Sequence, residues 1–115
     1  MTITPVNDRL SVSPQIAPGD VAELHRAGYR CIVNARPDHE EPGQPDSAAL
    51  AAEAAKWGLD YRHVPIVPGK MTDDQARAFG DIVAAAHGPV LAFCRTGSRA
   101  AKAWERSQEL GAACG

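Results

Sequence analysis

Pro89-Val90-Leu91-Ala92-Phe93-Cys94-Arg95-Thr96-Gly97-Ser98-Arg99 is the stretch on which the fold turns. Its first five residues are an apolar run of the length of a strand buried on both faces. A polar loop follows, and Ala100, Ala101 and Trp104 then recur at helical spacing toward Leu110. A buried strand that passes through a short loop into a helix is the repeating step of an α/β domain.

Outward from this stretch the same alternation continues. Upstream, Thr72-x-x-Gln75 is a capping box, and Ala76, Phe79, Ile82, Val83 and Ala86 mark a helix that ends near His87-Gly88. Residues 59–66 read as a strand broken by Pro65, Pro68 and Gly69, and residues 47–57 as a helix stopped by Gly58. Tyr29 to Asn34 is rich in strand formers. Between Ala35 and Asp46 lie three prolines, one glycine and four acidic residues, so this segment is an exposed connecting or functional loop. Val21, Leu24 and Ala27 mark a helix opened by Pro18-Gly19-Asp20 and closed at Gly28, preceded by a short strand from Leu10 to Ser13. The expected architecture is a three-layer α/β sandwich, with a mainly parallel sheet of four or five strands and helices on both faces. Right-handed crossovers then bring the loops after Asn34 and Ile66 to the edge that carries Cys94.

The 115 residues suffice for one domain, read as residues 1–115, and for one modest core. Of the apolar side chains 21 are alanine, and Leu, Ile, Val and Phe together number only 21. Twelve basic against fourteen acidic residues give a net charge of −2, which argues against a general electrostatic hold on nucleic acid or an anionic membrane. An anionic partner must therefore be held locally. The three cysteines, Cys31, Cys94 and Cys114, have neither the number nor the spacing of a disulfide framework or a cysteine-rich zinc site, which fits a reducing cytoplasm. No basic segment followed by an apolar one opens the chain, and no apolar run is long enough to span a bilayer.

The chemistry is expected at Cys94. A cysteine at the carboxyl end of a buried parallel strand stands where α/β folds place their sites. Backbone N–H groups of Arg95, Thr96, Gly97, Ser98 and Arg99 can curl around a common centre, and the dipole of the following helix adds positive potential, making an anion nest. Gly97 supplies the backbone angles of a tight loop. Arg99 offers a planar fork for two oxygens of a tetrahedral oxyanion. Flanked by Arg95 and Arg99, Cys94 is the expected nucleophile.

Four segments together carry a resemblance over nearly the whole chain: Ile32-Val33-Asn34-Ala35-Arg36-Pro37-Asp38, then Glu40-Glu41-Pro42-Gly43-Gln44-Pro45, Tyr61-Arg62-His63-Val64-Pro65-Ile66, and Phe93-Cys94-Arg95-Thr96-Gly97-Ser98-Arg99. The chain resembles the phosphatase-like domain of beta-lactamase hydrolase-like proteins, small bacterial relatives of the dual-specificity tyrosine phosphatases. The resemblance implies a tyrosine phosphatase-like fold and a cysteine-dependent phosphatase. Cys94 would attack phosphorus, and Arg99 with the amides of Arg95, Thr96, Gly97 and Ser98 would hold the oxygens. A phosphocysteine would then be hydrolysed, with no metal or other cofactor. Small anionic substrates or phosphoproteins are the implied partners. A functional link to a metallo-beta-lactamase-type persulfide-oxidising enzyme is also implied, because the family occurs fused to such a domain.

Three features set the chain apart from tyrosine phosphatases. The loop is Cys-x4-Arg rather than Cys-x5-Arg, Ala100 stands where many carry Ser or Thr, and residues 67–70 hold no carboxylate where the general acid is expected. Asp38, just after the strand ending at Asn34, is the acid candidate, with Glu40 and Glu41 behind it. Asp73 and Asp74 read as first-turn helix residues. The same three features suit a rhodanese-like sulfurtransferase carrying a persulfide on Cys94, which needs an amide nest but no acid. A non-catalytic binding module is the third reading, and it would leave Cys94 unreactive toward a thiol reagent. His25, His39, His63 and His87 fall one per element and make no metal motif. Trp57 and Trp104 are expected in the core, Cys31 buried and inert, and Cys114 exposed at a frayed end.

Overall fold

The computed structural model of the chain describes the backbone of residues 2–114 and side-chain surroundings through residue 111, so the expected exposure of Cys114 lies outside what is described. The strands are β1 (Thr4–Pro5), β2 (Leu10–Ser13), β3 (Cys31–Asn34), β4 (Asp60–His63) and β5 (Val90–Phe93). The helices are α1 (Asp20–Arg26), α2 (Ser47–Lys56), α3 (Asp73–Ala85) and α4 (Ser98–Cys114). They build one sheet in the order β1-β2-β5-β3-β4, with β2, β5, β3 and β4 parallel and β1 antiparallel to β2. The three-layer, mainly parallel arrangement expected from the sequence is the one formed.

Strand geometry sorts the core into two halves, because successive side chains point to opposite faces. Val90, Ala92 and then Cys94 face Phe79 and Val83 of α3 and Ala100 and Ala103 of α4. Leu91 and Phe93 face Val21 and Leu24 of α1 and Leu50 and Ala54 of α2. All four residues of β5 are fully buried, which is why the central strand reads as an unbroken apolar run. Burying a side chain such as Phe79 stabilises the fold by roughly 1.5–3 kcal/mol. The abundance of alanine lets α3 and α4 pack closely. At Gly80 an added Cβ would lie 2.7 Å from the Ser107 Cβ, so this crossing admits no side chain without a shift.

Four local expectations change. The third strand is only Asp60–His63, because Pro65 has no N–H to add to a ladder, yet the extended chain stays pinned by Val64 N to Asn34 O (2.8 Å) and Ile66 N to Ala35 O (3.1 Å). The last helix starts at Ser98, so Ser98 and Arg99 belong to its first turn rather than to the loop. The edge strand β1 was not foreseen, since two residues carry no period to read. Trp57 and Trp104 are half-buried at the rims of the two core halves instead of inside them. Cys31 is buried as expected, and burial, followed by the nearby Asp60, pushes its thiol up to about 11.

The registers align the strand ends. Ser13, Phe93, Asn34 and His63 stand side by side at the carboxyl edge. Everything that follows these four residues is therefore delivered to one rim.

Candidate functional site

Cys94 is the first residue beyond β5 and is 1% exposed. Its N–H reaches Ser13 O at 3.4 Å, and its Sγ accepts a hydrogen bond from Gly97 N at 3.0 Å. The loop folds back on its own sulfur because Gly97 adopts φ +94°, and a Cβ there would stand 3.3 Å from the Ser13 carbonyl. Both the dihedral and the close approach require glycine. Thr96 and Ser98 are exposed, with their hydroxyls 3.0 Å apart and Ser98 N donating to Thr96 Oγ1 at 3.4 Å.

Arg99, in the first turn of α4, is held from two sides. Nη1 and Nη2 donate to Glu40 Oε2 and Oε1 at 3.0 and 3.1 Å, and Nη1 also donates to Ile66 O at 3.0 Å. A guanidinium has five N–H donors in one plane. Three are used here. The Nε–H and the second Nη2–H share the remaining edge, and no partner for that edge is found among the described residues. Arg99 is thereby fixed and still presents one complete two-donor fork.

The loop from Ala35 to Asp46 makes this possible. Asn34 Oδ1 accepts from Arg36 N at 2.8 Å, and Asn34 Nδ2 donates to Tyr61 Oη at 3.0 Å. Gln44 Oε1 accepts from Glu40 N at 3.0 Å and Glu41 N at 3.3 Å, while its Nε2 donates to Pro37 O at 2.8 Å. Burial alone would raise the Glu40 carboxyl, but hydrogen bonds from Arg99 and then Arg36 outweigh it and hold it below its ordinary value. A carboxylate shared in this way by two guanidiniums is placed to brace Arg99 rather than to give up a proton.

Asp38, the leading acid candidate, is exposed and accepts a hydrogen bond from Ser47 N at 2.8 Å. It caps α2 across nine residues of sequence, and among the described residues it makes no hydrogen bond or ion pair with the Cys94 loop. Asp38→Asn keeps an oxygen for Ser47 N, so we expect the variant to fold and to retain turnover within a few-fold. A loss of about 10²–10⁴ in rate would instead assign Asp38 the acid role. Asp73 opens α3 and pairs with Arg106 at 3.0 Å, as a first-turn residue should. Arg95 is exposed, with Nε 3.7 Å from Glu41 Oε2. His63 bonds the Arg36 carbonyl at 2.7 Å.

The residue that sequence reading left without a role is Arg36. A fully buried arginine is rare unless paired. The available signal was its place four residues ahead of Glu40 and five ahead of Glu41, two past the strand end at Asn34. Beside Arg99 lies a cavity of about 160 Å³ lined by Pro68, Gly69, Thr96, Ser98, Arg99 and Lys102. Two larger cavities lie away from the cysteine, one between α3 and α4 and one at the opposite edge of the sheet by Cys31 and Asp60. The small one borders the Cys94 loop through Thr96 and Ser98.

Known proteins are similar to this chain in sequence and in fold. The sequence model of the family described as beta-lactamase hydrolase-like protein, phosphatase-like domain, matches residues 2–111. A beta-lactamase hydrolase-like protein of Xylella fastidiosa is 38% identical over 110 residues, which are 96% of this chain and 26% of that protein. The chain thus spans about a quarter of that relative's length. The crystal structure of a phosphatase candidate from Neisseria meningitidis superposes with a TM-score of 0.83 at 28% identity, covering 96% of this chain and 89% of the other. TpbA of P. aeruginosa, crystallised with phosphotyrosine, shares the fold, with a TM-score of 0.62 at 21% identity over 83% of this chain and 54% of its own. The tyrosine phosphatase-like fold expected from the resemblance is the fold of this chain. With its Cys94 loop, its braced Arg99 and a match that runs nearly end to end, the chain belongs to the phosphatase-like domain family of beta-lactamase hydrolase-like proteins.

Proposed function

We propose that the domain hydrolyses phosphoric monoesters through Cys94. The Cys94 sulfur attacks phosphorus, the S–P bond forms, and the ester oxygen departs with its electron pair and takes a proton from water. Water then attacks the phosphocysteine, the S–P bond breaks, and inorganic phosphate leaves. The open Nε/Nη2 edge of Arg99 and the amides of Arg95, Thr96 and Ser98 hold the non-bridging oxygens as charge builds on them, while Gly97 N stays on the Cys94 sulfur. The observation that carries this reading is Arg99 braced by Glu40 and Ile66 with one fork left for an oxyanion. With Asp38 engaged at α2 and Glu40 ionised, turnover depends on a leaving group that departs without protein acid. Aryl phosphates should therefore far outrun alkyl phosphates, and the complex of TpbA with phosphotyrosine supports an aryl substrate on this scaffold.

The short loop, with Gly97 N donating to Sγ, favours a second reading, a persulfide carried on Cys94. Such a role would fit a cytoplasmic partner that oxidises persulfides. The reduced protein assayed in parallel with p-nitrophenyl phosphate and with thiosulfate plus cyanide separates the two. We expect nitrophenol release and no thiocyanate; thiocyanate without nitrophenol overturns the phosphatase reading. Arg99→Lys should lower the nitrophenol rate about 10²–10³-fold, because an ammonium cannot serve Glu40, Ile66 O and two substrate oxygens together.

A further inference from the structure

Arg36 is fully buried, and its guanidinium reaches three different side chains. Nε donates to Glu40 Oε1 at 2.7 Å, and Nη1 donates to Gln15 Oε1 at 2.9 Å, on the segment that follows β2. Nη2 stands 2.9 Å from Glu41 Oε1 as an ion pair, yet off the N–H direction, so it has no hydrogen-bond partner. Glu40 and Glu41 are the carboxylates that meet Arg99 and Arg95. The two site arginines thus reach the protein interior through one buried cation.

We propose that Arg36 is a positioning residue for the oxyanion: by holding Glu40 through Nε it fixes which edge of Arg99 is left open to the substrate. The geometry allows little freedom. Glu40 Oε1 accepts from Arg36 Nε and Arg99 Nη2 at once, so moving the carboxylate rotates the Arg99 plane and swings the Nε/Nη2 edge away from the ligand. Lysine at position 36 would keep the charge but could not keep Gln15 and both glutamates in one plane. This inference rests on Arg99 being the group that holds the anion, and it applies to a phosphate or a thiosulfate alike.

The test measures oxyanion binding apart from turnover, as protection of Cys94 from iodoacetamide by inorganic phosphate. The unchanged protein, Arg36→Lys, Arg36→Met, Glu40→Gln and the double variant Arg36→Met/Glu40→Gln are compared, with thiosulfate as a second ligand. We expect each single change to weaken protection about ten- to hundredfold, since a displacement of about 1 Å suffices for a loss of that size. The double variant should bind no more weakly than the poorer single one, as for two residues acting through one contact. Kinetically, the single variants should show raised KM for p-nitrophenyl phosphate together with lowered kcat, a pattern that lost stability alone does not produce in the folded fraction.

Protection by phosphate in Glu40→Gln equal to that in the unchanged protein overturns the inference whether or not the Arg36 variants fold. Losses that multiply in the double variant overturn it as well. Should neither phosphate nor thiosulfate protect the unchanged protein, the anion-holding role of Arg99 falls, and the inference and the proposed function fall with it.

Discussion

Cys94→Ser is expected to give a folded domain whose hydrolysis of p-nitrophenyl phosphate has dropped by roughly 10³-fold or more, the scale of losing a covalent nucleophile. Serine is smaller by little, and its Oγ can take the hydrogen bond that Gly97 N now makes to Sγ at 3.0 Å, so the loop should keep its shape. Position 94 is almost fully buried. The hydroxyl, however, has no base beside it: Glu40 is tied up by two guanidiniums and Asp38 by the α2 N-terminus. The loss should therefore fall on turnover and leave phosphate binding through Arg99 in place. Rate assays paired with a phosphate binding titration check both halves. Turnover retained within about tenfold would move the nucleophile away from Cys94 and end the phosphocysteine mechanism.

Arg36→Met is expected to lower stability by about 3–5 kcal/mol, the usual effect of removing one partner of a buried ionic group. Methionine fills much of the arginine stem, so a cavity contributes little. What is lost is the cation that Gln15, Glu40 and Glu41 share, and the glutamates are left facing each other with one fewer guanidinium between them. For a domain of this size the change amounts to a fall of more than about 10 °C in Tm. Thermal or urea unfolding checks it, and a loss within about 0.5 kcal/mol, as at an ordinary surface position, would mean that the network adds nothing to the fold.

The same network sets a pH dependence. The Glu40 carboxyl lies lower in the folded protein than in the unfolded chain, so its contribution to stability is fully present above the ordinary carboxylate value of about 4.3. It is lost as pH falls through the lowered folded value. Glu40→Gln should flatten that acid limb of the stability curve and leave the neutral region with only the smaller effect of a neutral partner for Arg36 and Arg99.

The strand–loop–helix around Cys94 was legible because its signals are local. A strand ending in cysteine, a glycine in a tight loop and an arginine opening a helix are contiguous, and each constrains its neighbours through backbone geometry. The loop from Ala35 to Asp46 was legible only as an irregular acidic segment. Whether Asp38, Glu40 or Glu41 met the cysteine depended on contacts that skip along the chain: Asp38 with Ser47, Glu40 with Arg99, Gln15 with Arg36. No period or spacing encodes such pairings. A fully buried arginine is also the opposite of what composition leads one to expect, because its burial is tolerable only once its partners are assembled.

Hydrophobic periodicity and the Cys94 to Arg99 spacing by themselves determined an α/β sheet with Cys94 at its carboxyl edge, since alternation and loop geometry are written into consecutive residues. The tertiary structure decided which carboxylate braces Arg99 and which caps a helix. That choice is made by the strand register, which places Ser13, Phe93, Asn34 and His63 in line and so brings side chains up to 59 residues apart within hydrogen-bond distance.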